Sequence, residues 1–239
     1  MGKQGVTKVQ PGEEGAGITT AIDGPAEVGK LGVGGPPKRE KILVGMLEEV
    51  GANGYDATSV RTVLARTGLY RQAFYDHFPD KDACFQRAFE AGVARLEAIA
   101  RAAAAEETSW RAKLRAGLGA VLELLDAEPE IGRALVVEVH AAGAEPLKRR
   151  AEAMKKLTDF IDLAREERAG RESPPGIAPE GIVAGIHAIV HSRLSTGAND
   201  GFRELLPDFM YFAVLPYFGT EAAAEEMRAA RAGLRGASA

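Results

Sequence analysis

A chain of 239 residues with 46% hydrophobic side chains can fill one large domain or two small ones, which excludes a small disulfide-stapled peptide. With 30 Lys and Arg against 34 Asp and Glu, no whole-molecule field draws it to nucleic acid or to an anionic membrane, so any polyanion binding has to be local. Cys84 is the single cysteine, which excludes an internal disulfide, and no run approaches the roughly 18 apolar residues of a membrane span.

Residues 1 to 37 are rich in glycine, end in "GVGGPP", and hold few large apolar groups that would offset the entropy of ordering. They are expected to form a disordered arm, either a natural extension or a vector-derived leader. No charged-then-apolar secretory pattern is seen, and the expectation is a soluble, cytoplasmic protein without membrane partners.

From Pro37 the texture changes to helical periods punctuated by Gly and Pro, which predicts an all-α fold. "KREKILVGMLEEVGANGY" spaces Ile42, Leu43, Met46, Leu47 and Val50 along one helical face and is expected to stop at Gly51 and Gly54. "ATSVRTVLARTG" offers Thr58 or Ser59 as N-cap, Val60, Val63 and Leu64 on one face, and Gly68 as a left-handed terminator. "LYRQAFYDHF" then gives a third helix with Leu69, Ala73 and Phe74 inward, and Tyr70, Arg71, Gln72, Tyr75 and His77 with a route outward. Two short helices about a glycine turn, propped by a longer one, describe a helix-turn-helix whose second helix fits a major groove about 12 Å wide. Arginine reads a guanine edge, glutamine reads adenine, and tyrosine hydroxyls bond phosphates or bases.

In "GYDATSV", "TGLYRQAFYDHF" and "DKDACF", over about Lys38 to Phe89, the chain resembles the TetR/AcrR family of bacterial transcriptional regulators. The resemblance implies an N-terminal three-helix DNA-binding domain (38–84) joined to a larger helical-bundle domain for ligand binding and dimerisation (85–239). It implies that Thr58 and Ser59 cap the second helix and contact a phosphate, and that Tyr70, Arg71 and Gln72 open the recognition helix. Tyr75 and His77 would follow the DNA backbone, and Lys81, after the cap Asp80, would hold another phosphate where a helix N-terminus already favours anions. Two positions depart from the pattern: Tyr70 replaces a small capping serine, and Leu64 a small alanine at the crossing of the second and third helices. Between Lys38 and Arg87 the net charge is only about +1, so DNA affinity is expected to need two copies.

The remainder predicts a fourth helix from "DACFQRAFEAGVARLEAIARAAAA", a fifth ended by Pro129, a sixth from "EIGRALVVEVHAAG" and a long seventh from 145 to 170. After the loop "RESPPGIAPE" come "EGIVAGIHAIVHSRLSTG", "GFRELLPDFMYFAVLPYFG" and a charged terminal helix. The eighth and ninth helices are apolar nearly all round, so they are either wholly buried or shared with a second subunit. Gly181 and Gly185, four apart, allow a close crossing within the chain or with a partner. A two-fold dimer suits a pseudo-palindromic operator in double-stranded DNA.

Family resemblance implies a small-molecule effector in the second domain. Trp110, Leu122, Val137, His140, Met154, Phe160, His187 and Phe202 are candidates to line an apolar pocket with a few polar groups. The reading is a repressor released by that effector, with no cofactor and no enzyme activity, since no nucleophile–base pair or phosphate-binding glycine loop is found beyond the arm. The alternatives are a helical adaptor, or a metal-binding protein using "HAIVH", where His187 and His191 stand one helical turn apart.

Overall fold

The first helix, α1 (Lys38–Asn53), exists because five apolar residues recur on one face: Ile42, Leu43, Met46, Leu47 and Val50 are all 7% exposed or less. In this computed structural model, which describes residues 37–167, 173–198 and 201–236, α1 runs through Gly51 and ends only at Gly54, whose φ is +88°. Gly51 marks a close crossing instead of a stop, because a Cβ there would run into the backbone carbonyl of Glu130 on a later helix.

Next comes α2 (Val60–Thr67). Its N-cap is Ser59, whose hydroxyl accepts from the Thr62 amide while the Thr62 hydroxyl accepts from the Ser59 amide. Gly68, at φ +68°, closes α2 and turns the chain into α3 (Arg71–Tyr75). That helix is shorter than the sequence pattern predicts. Tyr70 is its N-cap, and Pro79 disfavours helical geometry at Phe78, so the last turn unwinds over Asp76 and His77.

A carboxylate cap from Asp80, accepting from the Ala83 amide at 2.8 Å, starts α4 (Lys81–Ala104). Ser109 caps α5 (Trp110–Ala127) in the same way, and Pro129 at the first position begins α6 (Pro129–Val136). The sequence pattern extends α6 to residue 143, but the helix gives way to a 3-10 turn at Glu138–Ala141. The run Val136, Val137 and Val139 is stiff at χ1 and weakly helix-forming, and the Glu138 carboxylate is engaged across the fold.

The remaining helices are α7 (Ala144–Asp162), α8 (Ala178–Thr196) and α9 (Leu206–Gly236). Within α9 the helix breaks at Gly219, φ +81°, just after Pro216, so the expected ninth and terminal helices meet there. The end expected for the seventh helix at residue 170 falls outside the described residues, as does the expected arm up to residue 36.

Two cores organise these helices. The first gathers Val63, Phe74, Phe85 and Phe89 around α1 and also takes in Ile131 and Leu135 from α6, so the helix-turn-helix shares one core with α4 and α6. The second is built on Trp110, Leu122, Leu194, Phe202 and Tyr217. Of the glycine pair on α8, Gly185 meets an intrachain neighbour, since a Cβ there would touch the Phe212 ring at 3.0 Å, whereas Gly181 faces open space among the described residues. Beside them Ile189 and Phe212 remain 43% and 44% exposed.

Candidate nucleic-acid interface

On α3 the apolar and polar residues separate completely. Phe74 is fully buried and Phe78 nearly so, packed against one another at 5.7 Å between ring centroids, while Arg71, Gln72, Tyr75 and His77 are exposed. Tyr70 is 86% exposed and makes no capping hydrogen bond, so a large phenol projects where a small polar cap would close the helix. The Arg71 guanidinium lies 5.4 Å from the Tyr75 ring centroid, and the Gln72 amide donates to Asp76 at 2.8 Å. Both side chains are therefore held in defined positions on the outer face.

Around α3 the predicted phosphate contacts divide. Ser59 is exposed at the α2 N-terminus, but Thr58 is 4% exposed and its hydroxyl donates to the Gly54 carbonyl at 2.8 Å. Lys81 folds back onto Tyr55, donating to its carbonyl at 3.0 Å with Nζ 4.0 Å from the ring centroid. The Tyr55 hydroxyl donates in turn to Asp82 at 2.6 Å, and burial, followed by that hydrogen bond, raises its pKa. Lys81 thus stands at the edge of the outer face, fixed by the core beneath it.

Behind this face a polar network joins α1 and α2 to α6. The Glu138 carboxylate accepts from the Tyr55 amide at 3.0 Å and pairs with Arg133 at 2.8 Å; Arg133 donates to the Gly51 carbonyl at 2.7 Å, satisfying an orphan of the α1 C-terminus. Arg66 on α2 bonds Glu49 on α1 at 3.0 Å and reaches Glu130 on α6 at 3.4 Å. Sequence reading missed Arg133 and Glu138, because the backbone groups they hold, at Gly51 and Tyr55, lie more than 80 positions away and no spacing rule announces them.

The candidate effector residues fall into separate groups. Trp110 is 3% exposed, donates from its indole to the Phe160 carbonyl at 2.9 Å, and sits among the rings of Phe160, Tyr217 and Phe218. Phe202 and Leu122 are buried in the same core; the Phe202 amide donates to Asp126 at 2.7 Å. Val137 packs at the edge of that core, and Met154 is half-buried on α7. His140 and His187 lie elsewhere, with His191, near Arg150 of α7. Burial, then Arg150, His191 and His140, depress His187 to about 4. Among the described residues no group of three or more His, Cys, Asp or Glu is arranged to hold a metal.

The described residues thus form a helix-turn-helix with an exposed polar face on its second helix, carried on a helical bundle, the arrangement that helix-turn-helix proteins lay into a major groove. Residues 42–88 match the sequence family described as bacterial regulatory proteins, tetR family, which covers the helix-turn-helix and the start of α4. Solved structures share the fold. The fatty acid degradation regulator FadR from Bacillus halodurans superposes with a TM-score of 0.65 at 15% identity, covering 76% of this chain and 95% of that one. The regulator FadR from Bacillus subtilis, in complex with stearoyl-CoA, gives 0.63 at 14% identity over 75% and 98%. A gamma-butyrolactone receptor (ArpA like protein) gives 0.64 at 17% identity over 81% and 94%. No curated protein matches the chain by sequence. No described helix is long and apolar enough to cross a membrane.

Proposed function

We propose that the protein is a cytoplasmic, sequence-specific DNA-binding repressor that acts as a homodimer, without enzyme activity, and is released from a pseudo-palindromic operator by a small-molecule effector. The observation that carries this reading is the outer face of α3, where Tyr70, Arg71, Gln72, Tyr75 and His77 stand exposed behind the Gly68 turn within the segment that matches the family. Residues 38–84 act as the reading head and 85–239 as the part that binds effector and partner subunit. Arg71 and Gln72 reach base edges, Tyr70 extends that reach, and Ser59, Tyr75, His77 and Lys81 border the phosphates, whereas the buried Thr58 hydroxyl stays with the Gly54 carbonyl. The half-exposed Ile189 and Phe212, beside the open Gly181, supply the face for a second copy, which sets two reading heads about 34 Å apart.

The relatives support a ligand-responsive mechanism by what they bind: one FadR structure holds stearoyl-CoA and another relative is a butyrolactone receptor. In this chain the effector side includes His140 and His187, with Trp110, Met154, Phe160 and Phe202 lining the bundle. His140 shares its 3-10 turn with Glu138, so displacement of that turn disturbs the Tyr55 amide and the Arg133 contact to Gly51. Coupling of about 1–3 kcal/mol through such a contact is enough to regulate operator affinity.

The test is selection of duplexes from the source genome by the purified protein, followed by titration of the enriched sequence and of random DNA at two salt concentrations. An enriched pseudo-palindrome bound by two copies is the expected result. Weak binding that ignores sequence sinks the reading and favours a helical adaptor.

A further inference from the structure

Arg150 differs from its cationic neighbours. Arg149 and Lys156 both pair with Glu97, and Arg133 pairs with Glu138, but no carboxylate among the described residues forms an ion pair with Arg150. Its Nη2 instead lies 3.2 Å from Nε2 and 3.5 Å from Nδ1 of His187, and its Nε is buried without a hydrogen-bond partner. His191 stands with its ring 6.2 Å from that of His187 and 6.2 Å from that of His140, and its Nδ1 is 3.4 Å from the Ser195 hydroxyl. Three elements, α7, α8 and the turn at Glu138–Ala141, thus bring four nitrogen-bearing side chains into one connected cluster, Arg150 to His187 to His191 to the exposed His140.

A guanidinium with a buried, unsatisfied N–H is costly unless a partner arrives. The groups around it are imidazoles, which do not supply the missing negative charge and, as donors or after protonation, favour an anion themselves. The planar fork of arginine matches two oxygens of a carboxylate or phosphate at once. Resting on the reading of this chain as effector-responsive, we propose that Arg150, His187, His191 and His140 form the headgroup site of the effector, and that the headgroup is an oxyanion.

The experiment follows the imidazole resonances of the full-length, histidine-labelled protein by NMR during titration with sodium phosphate and, separately, sodium octanoate, against sodium chloride at matched ionic strength. Saturable shifts of His140, His187 and His191 with phosphate, octanoate or both are expected, and the arm that responds identifies a phosphate or a carboxylate headgroup. Arg150→Gln weakens the response about tenfold or more, as expected for loss of a charge-assisted contact. Arg150→Lys keeps the charge without the fork and falls between, and it replaces Arg150→Gln if that variant does not fold. Silent histidines in both arms, or equal affinity in wild type and Arg150 variants, overturn the site. Operator selection is measured separately on the same protein. Specific DNA binding with silent histidines removes the oxyanion site and leaves the regulator; responsive histidines with sequence-blind DNA binding do the reverse.

Discussion

Arg71 and Lys81 are both candidate DNA contacts, but their surroundings give them different work. Arg71 is exposed and braced against Tyr75, so Arg71→Ala is expected to remove preference for the operator and leave weak binding to random DNA. Lys81→Ala is expected to weaken operator and random DNA alike and to lower the salt slope by about one. It also loses the contact to the Tyr55 carbonyl, so its thermal midpoint should fall while that of Arg71→Ala holds. Equal loss of specificity in the two variants would contradict this division. His187 gives a pH signature of its own. Its folded pKa, about 4, lies below the ordinary value of 6.5, so the unfolded chain takes up the proton first as pH falls. The stability tied to neutral His187 is intact above pH 6.5 and drains between 6.5 and about 4. Urea midpoints of wild type and His187→Asn, compared across that window, should converge towards acid; a constant difference would show that His187 does not titrate with folding.

At the level of helices, the meeting of α1 with α6 decides how the reading head is held. Gly51→Ala forces a methyl onto the Glu130 carbonyl, and a loss of about 1–3 kcal/mol in urea unfolding is expected, as for overpacking elsewhere. No change would mean that the two helices separate freely. Sequence alone reads this region well where the cause is local. The α1 stripe, the Gly68 turn and the buried Phe74 all follow from spacing and glycine chemistry. It misreads Gly51 as a terminator because a glycine needed for a distant helix looks like one needed for a turn. It leaves Thr58 and Ser59 open as caps, since both carry the right hydroxyl and only the Ser59–Thr62 exchange separates them. The length of α6 is misjudged for a related reason: its end depends on Glu138 finding Tyr55, a partner 83 positions away. The outward residues of α3 were legible from composition and the family pattern, whereas the isolation of Arg150 depends on what three separate helices fail to bring to it.

Across the whole molecule, residues 38–87 carry a net charge of only about +1, so on the proposed function tight operator binding requires two paired copies. Phe212→Glu places a carboxylate on the half-exposed α8–α9 face. Sedimentation is expected to show a shift towards monomer, and operator titration a parallel loss of affinity with α3 untouched. A dimer that persists would place the interface elsewhere. The C-terminal part of α9, beyond the Gly219 break, is tied to α5 through Glu226 with Arg115 and Arg111. This ties the end of the chain to the helix that carries Trp110. That residue is the single tryptophan of the chain, and its indole is bonded to the α7 backbone at Phe160 and flanked by Phe218 of α9. Any shift of α7 relative to α5 changes the polarity around one fluorophore, so emission colour becomes an unlabelled optical gauge of the bundle, readable in the same cuvette as a DNA titration.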